Sequence, residues 1–137
     1  MFTNPPPEVL RTLLRETKTI AVVGLSPKSD RPSHKVAQAL QGFGYRIVPV
    51  RPAVAGILGE PAYARLPDVP NKIDLVDVFR AAEHLDAIVD ECIALKIPAI
   101  WIQEGIINEA AAQRAHQAGI TVVMDRCIYK EYLALSV

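Results

Sequence analysis

The sequence predicts a doubly wound α/β domain: a five-stranded parallel sheet, order 3-2-1-4-5, with helices on both faces. Three observations carry this. Short runs rich in β-branched residues recur with little polar alternation, as in strands buried on both faces. Segments with helical spacing and recognisable ends lie between them. Strand and helix alternate strictly, which calls for right-handed βαβ crossovers and hence a mostly parallel, three-layer arrangement.

At the amino end, Pro5-Pro6-Pro7 precede a helix with Val9, Leu10, Leu13 and Leu14 as its apolar stripe. Residues 1–18 are therefore expected to form a helical segment packed on a domain of residues 19–137. Residues 19–24 read as the first strand. Ser33 is placed to cap the next helix, whose apolar positions Val36, Leu40 and Phe43 fall at i, i+4 and i+7, with Gly42 or Gly44 to end it. Residues 46–50 form the second strand. Over residues 52–70, Gly56, Gly59, Pro61, Pro67 and Pro70 leave room for a short turn at most. Residues 73–78 follow as a strand, then a helix over 81–96 with Leu85, Ile88, Val89, Cys92 and Leu95 on one stripe and Pro98 to stop it. After the strand at 99–102, Asn108 caps an Ala-rich helix that Gly119 ends. A strand at 121–124 and a short helix at 129–135 complete the chain.

Composition narrows the function classes. Half of the 137 residues are apolar and 22% are charged, which excludes disorder as the main description. Fifteen Lys and Arg balance fifteen Asp and Glu, so no global field draws in nucleic acid or an anionic membrane, and any polyanion must be held locally. No apolar run approaches the roughly 18 residues of a bilayer span, and no leader pattern opens the chain; a cytoplasmic protein is expected. Cys92 and Cys127 have no CxxC spacing, which argues against a zinc site or a disulfide scaffold. His34, His84 and His116 fall on three different helices without triad or metal partners, so neither catalytic nor metal-ligating residues are assigned.

In an open parallel sheet, ligands bind outside the carboxyl ends of the strands at the switch point. That geometry selects residues 24–33, 50–52, 79–80, 103–105 and 125–127. The loop after Gly24 carries Ser26, Pro27, Lys28, Ser29, Arg31 and Ser33 and runs into a helix whose free N–H groups and dipole favour an anion. His34 is placed to meet the same phosphate. The loop matches neither GxGxxG nor GxxxxGK[ST], which demotes simple NAD enzymes and P-loop NTPases. Where an NAD domain places Asp or Glu to grip ribose hydroxyls stands Arg51, suited to a phosphorylated ribose. Taken alone, Arg51 serves the 2′-phosphate of NADP and the 3′-phosphate of coenzyme A equally. Cys127 precedes a helix whose N-terminus lowers a thiol pKa, although a buried Cys more often acts as a small hydrophobe, as Cys92 does on its stripe. Asp74 and Asp77 alternate in one strand and need partners or a strand end.

Val22-Val23-Gly24-Leu25-Ser26-Pro27-Lys28, Asp30-Arg31-Pro32-Ser33, Val50-Arg51-Pro52, Asp74-Leu75-Val76-Asp77-Val78-Phe79-Arg80, Trp101-Ile102-Gln103-Glu104-Gly105 and Met124-Asp125-Arg126-Cys127 together resemble the stand-alone bacterial CoA-binding domain. That small Rossmann-like protein is similar to the nucleotide-binding domain of the succinyl-CoA synthetase α subunit. The resemblance implies that residues 26–33 hold the CoA phosphates, that Val50, Arg51 and Pro52 flank the adenosine, and that Phe79 and Arg80 line the adjacent wall. Gln103, Gly105 and Cys127 fall at the far end, where a mixed disulfide between Cys127 and CoA is conceivable. Arg51 stands where the family commonly has Asn, and Glu104 where it has an apolar residue; Glu104 opposes a polyanion unless it points away. The implied role is binding of CoA or an acyl-CoA as a non-catalytic carrier, sensor or accessory protein, since the synthetases rely on further domains for catalysis. The alternatives are an NADP- or NAD-binding redox protein and an interaction module that has lost its nucleotide. A high apolar fraction at zero net charge suggests self-association, and an accessory role implies a partner enzyme; neither nucleic acid nor membrane is expected as a partner.

Overall fold

Five runs of β-branched and apolar residues do form the sheet. In the computed structural model, which describes residues 1–137, α1 (Pro7–Glu16) leads into β1 (Thr19–Val23), α2 (Pro32–Gly42) and β2 (Arg46–Val50). A small antiparallel hairpin follows, β3 (Gly56–Ile57) and β4 (Glu60–Pro61). The chain continues through β5 (Leu75–Val78), α3 (Leu85–Ala94), β6 (Ala99–Ile102), α4 (Glu109–Gln117), β7 (Thr121–Met124) and α5 (Ile128–Ala134).

The main sheet runs β2-β1-β5-β6-β7 with every pairing parallel. The doubly wound order 3-2-1-4-5 is present with its third position reduced to one parallel bridge, Tyr63 on Val50. The strand read at residues 73–78 therefore lies beside β1, in the fourth position, and β7 adds a strand at the far edge. The physical cause is the Gly- and Pro-rich stretch after β2, which folds into the hairpin and a 3₁₀ turn at Leu66–Asp68 and leaves Tyr63 alone to pair. Pro49 fits this edge: its carbonyl accepts from Tyr63 N at 3.0 Å, and the donor it lacks would have faced outward.

Two apolar layers cover the sheet. On one face, Val76, Val78, Ile100 and Ile102 pack with Leu85, Val89, Ala111 and Ala115 of α3 and α4. On the other, Ile20, Val22, Leu75 and Trp101 pack with Leu14 of α1, Leu40 of α2 and Ile128 of α5. Each fully buried Leu, Ile or Val contributes about 1.5–3 kcal/mol. Leu10 and Leu14 anchor α1, whereas Val9 of the expected stripe is exposed. The Tyr45 hydroxyl donates to the Leu14 carbonyl and ties α1 to the start of β2. Cys92 is fully buried, and burial pushes its thiol up to about 12, as suits an inert core residue.

Helix ends follow local chemistry with one exchange of roles. Asn108 caps α4, its Oδ1 accepting from Ala111 N at 3.1 Å. Ser33 does not cap α2: Pro32 takes the first helical position, Arg31 becomes the cap residue, and Ser33 lies inside the first turn. The helix read over residues 81–96 begins as a 3₁₀ turn, Ala82–His84, before α3. Asp74 caps the amino end of the sheet, accepting from Lys18 N at 3.1 Å and Thr19 N at 2.9 Å. The outer edge of β7 is closed by Asn4, whose side chain donates to Met124 O at 2.9 Å and accepts from Met124 N at 2.8 Å.

Candidate functional site

The site begins where β1 ends. Gly24 has φ +84°, and a Cβ there would stand 2.7 Å from the Phe79 carbonyl oxygen and 2.9 Å from Arg80 Cδ. Only glycine lets the β1–α2 loop cross this closely over the end of β5. The loop is then pinned at both ends: Ser26 N donates to Ser33 Oγ at 3.0 Å, and Lys28 N to Ser26 Oγ at 3.2 Å. Ser33 was read as a cap; its oxygen instead holds the loop, and its hydroxyl proton is left to point elsewhere.

Ser26, Pro27, Lys28, Arg31, Pro32, Ser33, Arg51 and Phe79 line one open cavity of about 390 Å³. Arg51 reaches it from the end of β2, its Nη1 donating to the Leu25 carbonyl at 3.4 Å. α2 has no acidic residue in its first turn and no side-chain cap, so the positive end of its dipole is uncompensated. The chain's ion pairs are Arg65–Glu91, Arg114 with Asp86 and Asp90, Arg126–Glu131 and Lys130–Glu104. Lys28, Arg31, Arg51 and Arg80 belong to none of them. Lys28, Arg31 and Arg51 line the first cavity, where no carboxylate stands, and Arg80 lies in the adjoining one.

A second cavity of about 490 Å³ adjoins the first, sharing Pro32 and Phe79 as walls. It lies between α2 and α5 and is lined chiefly by apolar groups, among them Val36, Phe79, Ala81, Ile106 and Tyr129, with Arg80, Gln103 and Cys127 at its sheet end. Cys127 is the residue before α5 and is buried. Gln103 is buried and accepts from Ile128 N at 3.2 Å. Glu104, at the rim, is neutralised by Lys130 Nζ at 2.8 Å. The opposition expected of Glu104 is thereby removed.

The remaining sequence-read residues divide. Val50 is buried and supports the cleft from below, and Gly24 shapes the loop without lining either cavity. Ser29 and Pro52 are exposed at loop tips outside both. His34 is buried behind the loop with Nδ1 unpartnered. Gly105 N donates to Asp125 Oδ1 at 2.7 Å, tying two strand-end loops together. Reading strand ends alone missed Lys35, Val36, Tyr129 and Lys130, which line the second cavity from the helices. Their signal was position: each lies within a turn of Ser33 or Cys127.

Fold and cleft together define a doubly wound domain with a basic switch point, the class of site that holds phosphorylated nucleotides. The chain belongs to the CoA binding domain family, whose model matches residues 18–132. It is 42% identical over 125 residues to YneT of Bacillus subtilis (strain 168), covering 91% of this chain and 93% of that protein. Acetate–CoA ligase (ADP-forming) I of Archaeoglobus fulgidus is 26% identical over 121 residues, 81% of this chain, which spans 18% of the ligase's length. A solved structure of a hypothetical protein from Pyrococcus horikoshii OT3 superposes with a TM-score of 0.92 at 32% identity, over 100% of this chain and 99% of that one. Family membership and the likeness to the ligase support CoA binding in general. No helix of the chain is long and apolar enough to cross a membrane.

Proposed function

We propose that the two joined cavities bind coenzyme A or an acyl-CoA, and that the chain acts as a non-catalytic carrier, sensor or accessory protein. The observation that carries this reading is the convergence of Lys28, Arg31 and Arg51, none of them in an ion pair, on a cavity at the N-terminus of α2 that no carboxylate lines. A nucleotide bearing a pyrophosphate and a ribose phosphate supplies the missing negative charge. In this assignment Ser26, Pro27, Lys28, Arg31 and Ser33 surround the pyrophosphate, with Ser29 at the tip of the same loop and His34 behind it. Arg51 flanks the adenosine and meets the 3′-phosphate, with Val50 beneath it and Pro52 at the adjoining loop tip; Phe79 lines both cavities and Arg80 the second. Gln103, Gly105 and Cys127 mark the end reached by the pantetheine arm. Arg51 supports this better than an NAD reading because a guanidinium pairs bidentately with a phosphate but cannot accept from two ribose hydroxyls as a carboxylate does.

The test is thermal unfolding of the reduced protein with and without saturating CoA, with NADP in parallel. A ligand at 100 times its dissociation constant adds about 2.7 kcal/mol, a shift of several degrees for a domain of this size. CoA is expected to raise the midpoint and NADP to leave it unchanged. An unmoved midpoint at high CoA overturns the reading. Within it, 3′-dephospho-CoA is expected to bind more weakly than CoA, and equal affinities would remove the contact assigned to Arg51.

A further inference from the structure

Three buried side-chain polar atoms in the chain have no hydrogen-bond partner: both carboxyl oxygens of Asp77, and His34 Nδ1. All three lie on the α2/α5 face of the sheet, at the end where the cavities open. Asp77 has no exposed surface at all. Its neighbours on that face are satisfied: Trp101 Nε1 donates to the Arg126 carbonyl at 2.9 Å, and Gln103 accepts from Ile128 N. Asp74, three residues earlier, accepts two backbone N–H groups. Burial raises the Asp77 carboxyl well above the usual range and so favours its neutral form, whose O–H is a donor. A group of this kind weakens the fold, and an apolar residue of similar size would not.

Its position gives it a use. The register sets Asp77 between Val22 and Trp101, and strand alternation turns its side chain to the same face as Phe79. Phe79 and Gln103 line the larger cavity; Asp77 does not line it but stands two residues before Phe79 on the same face of β5, further into the sheet. CoA carries two secondary amides on its pantetheine arm. An arm entering a cavity walled by Val36, Phe79, Ala81 and Ile106 loses water from those amides, and each then needs a partner from the protein.

Resting on the CoA reading, we propose that Asp77 is a ligand-binding residue for the pantetheine arm. As the arm enters between α2 and α5, Phe79 is displaced and the Asp77 carboxyl donates a hydrogen bond to an amide carbonyl of the ligand. The orphaned carboxyl is thus a binding group whose partner arrives with the ligand.

The experiment compares wild type, Asp77→Asn and Asp77→Leu. Calorimetric titration uses CoA and adenosine 3′,5′-bisphosphate, which lacks the arm, and urea unfolding is followed on the free proteins. Asp77→Leu is expected to unfold at higher urea than wild type and to bind the bisphosphate unchanged. Its CoA affinity is expected to fall about tenfold, as for loss of one buried hydrogen bond. Asp77→Asn, still a donor, is expected to keep CoA affinity within about threefold. Wild-type affinity of Asp77→Leu for CoA, or an equal loss for both ligands, overturns the proposal. Difference infrared spectroscopy on the wild type reads the same contact without relying on a variant's folding. The protonated carboxyl stretch, assigned by its absence in Asp77→Asn, is expected to shift with CoA and not with the bisphosphate, and an unshifted band overturns the proposal. If the wild type binds neither ligand, the CoA reading fails and this inference with it; wild-type binding with an unaffected Asp77→Leu removes this inference alone.

Discussion

The two faces of the sheet are built by different rules. Toward α3 and α4, Val76, Val78, Ile100 and Ile102 meet only apolar partners, and no buried polar residue enters that layer. Toward α2 and α5 the same strands present Asp77, Trp101 and Gln103, and α2 adds Ser33 and His34. The first face is optimised for burial. The second gives up some of that stability for polar groups, of which Ser33 and Gln103 line the cavities, the usual trade where a site is built into a core.

The sharpest way to break this comparison is to damage the apolar face alone. Ile100→Ala removes a fully buried side chain from the α3/α4 layer and is expected to cost about 2–5 kcal/mol in urea unfolding. The affinity of the remaining folded protein for CoA should be unchanged. A loss of affinity in the folded fraction would mean that the two faces are not independent.

Next in size is a pH effect confined to the other face. In the unfolded chain the Asp77 carboxyl titrates in the ordinary range, and in the folded protein burial raises it well above. Between those values the native state keeps a proton that the unfolded state has lost. The stability associated with the protonated carboxyl is therefore fully present at low pH and is lost as pH rises, at up to about 1.4 kcal/mol per pH unit. Asp77→Asn does not titrate, so its advantage over wild type should grow as pH rises above about 4. Urea unfolding of both proteins at several pH values checks this, and a difference that stays flat would show that the carboxyl is not held neutral.

A smaller effect, confined to ligand affinity, is expected at the cleft. Arg51 is part of no ion pair, and its one side-chain hydrogen bond is long, so Arg51→Ala should leave stability within about 0.5 kcal/mol. CoA affinity should fall about tenfold or more, the scale of a charge-assisted hydrogen bond. Raising the salt concentration should narrow the gap between the two proteins, because the lost term is electrostatic. An affinity equal to wild type would place the 3′-phosphate elsewhere.

What the sequence disclosed of this arrangement, and what it hid, follows from the range of the interactions. Strands and helices were legible because apolar period and caps are local: Asn108 and Gly119 bound the fourth helix from sequence alone. The loop residues Lys28 and Arg31 were legible because doubly wound topology sends strand ends to one place. Ser33 was misassigned because its partner, Ser26 N, lies across a loop, and Pro32 competes for the helix start. Asp74 and Asp77 looked alike in sequence; only the packing shows that one caps two backbone amides while the other has no partner. The reduced third strand was hidden because a single bridge at Tyr63 leaves no periodic trace.

Glu104 is the remaining case of a long-range partner. In sequence it is a negative charge set beside a site for a polyanion; in the fold Lys130, 26 residues later, meets it at 2.8 Å. Both side chains are largely exposed, so the pair adds little to stability. Its effect is on the field at the cavity rim. Lys130→Ala leaves Glu104 uncompensated and is expected to weaken CoA binding about two- to threefold at low salt, the small size reflecting high dielectric and screening. Glu104→Gln in the same background should restore the wild-type affinity, because it removes the charge that Lys130 had masked. If the double variant binds as weakly as Lys130→Ala, Lys130 contacts the ligand directly, and the α5 wall of the larger cavity is part of the binding surface in its own right.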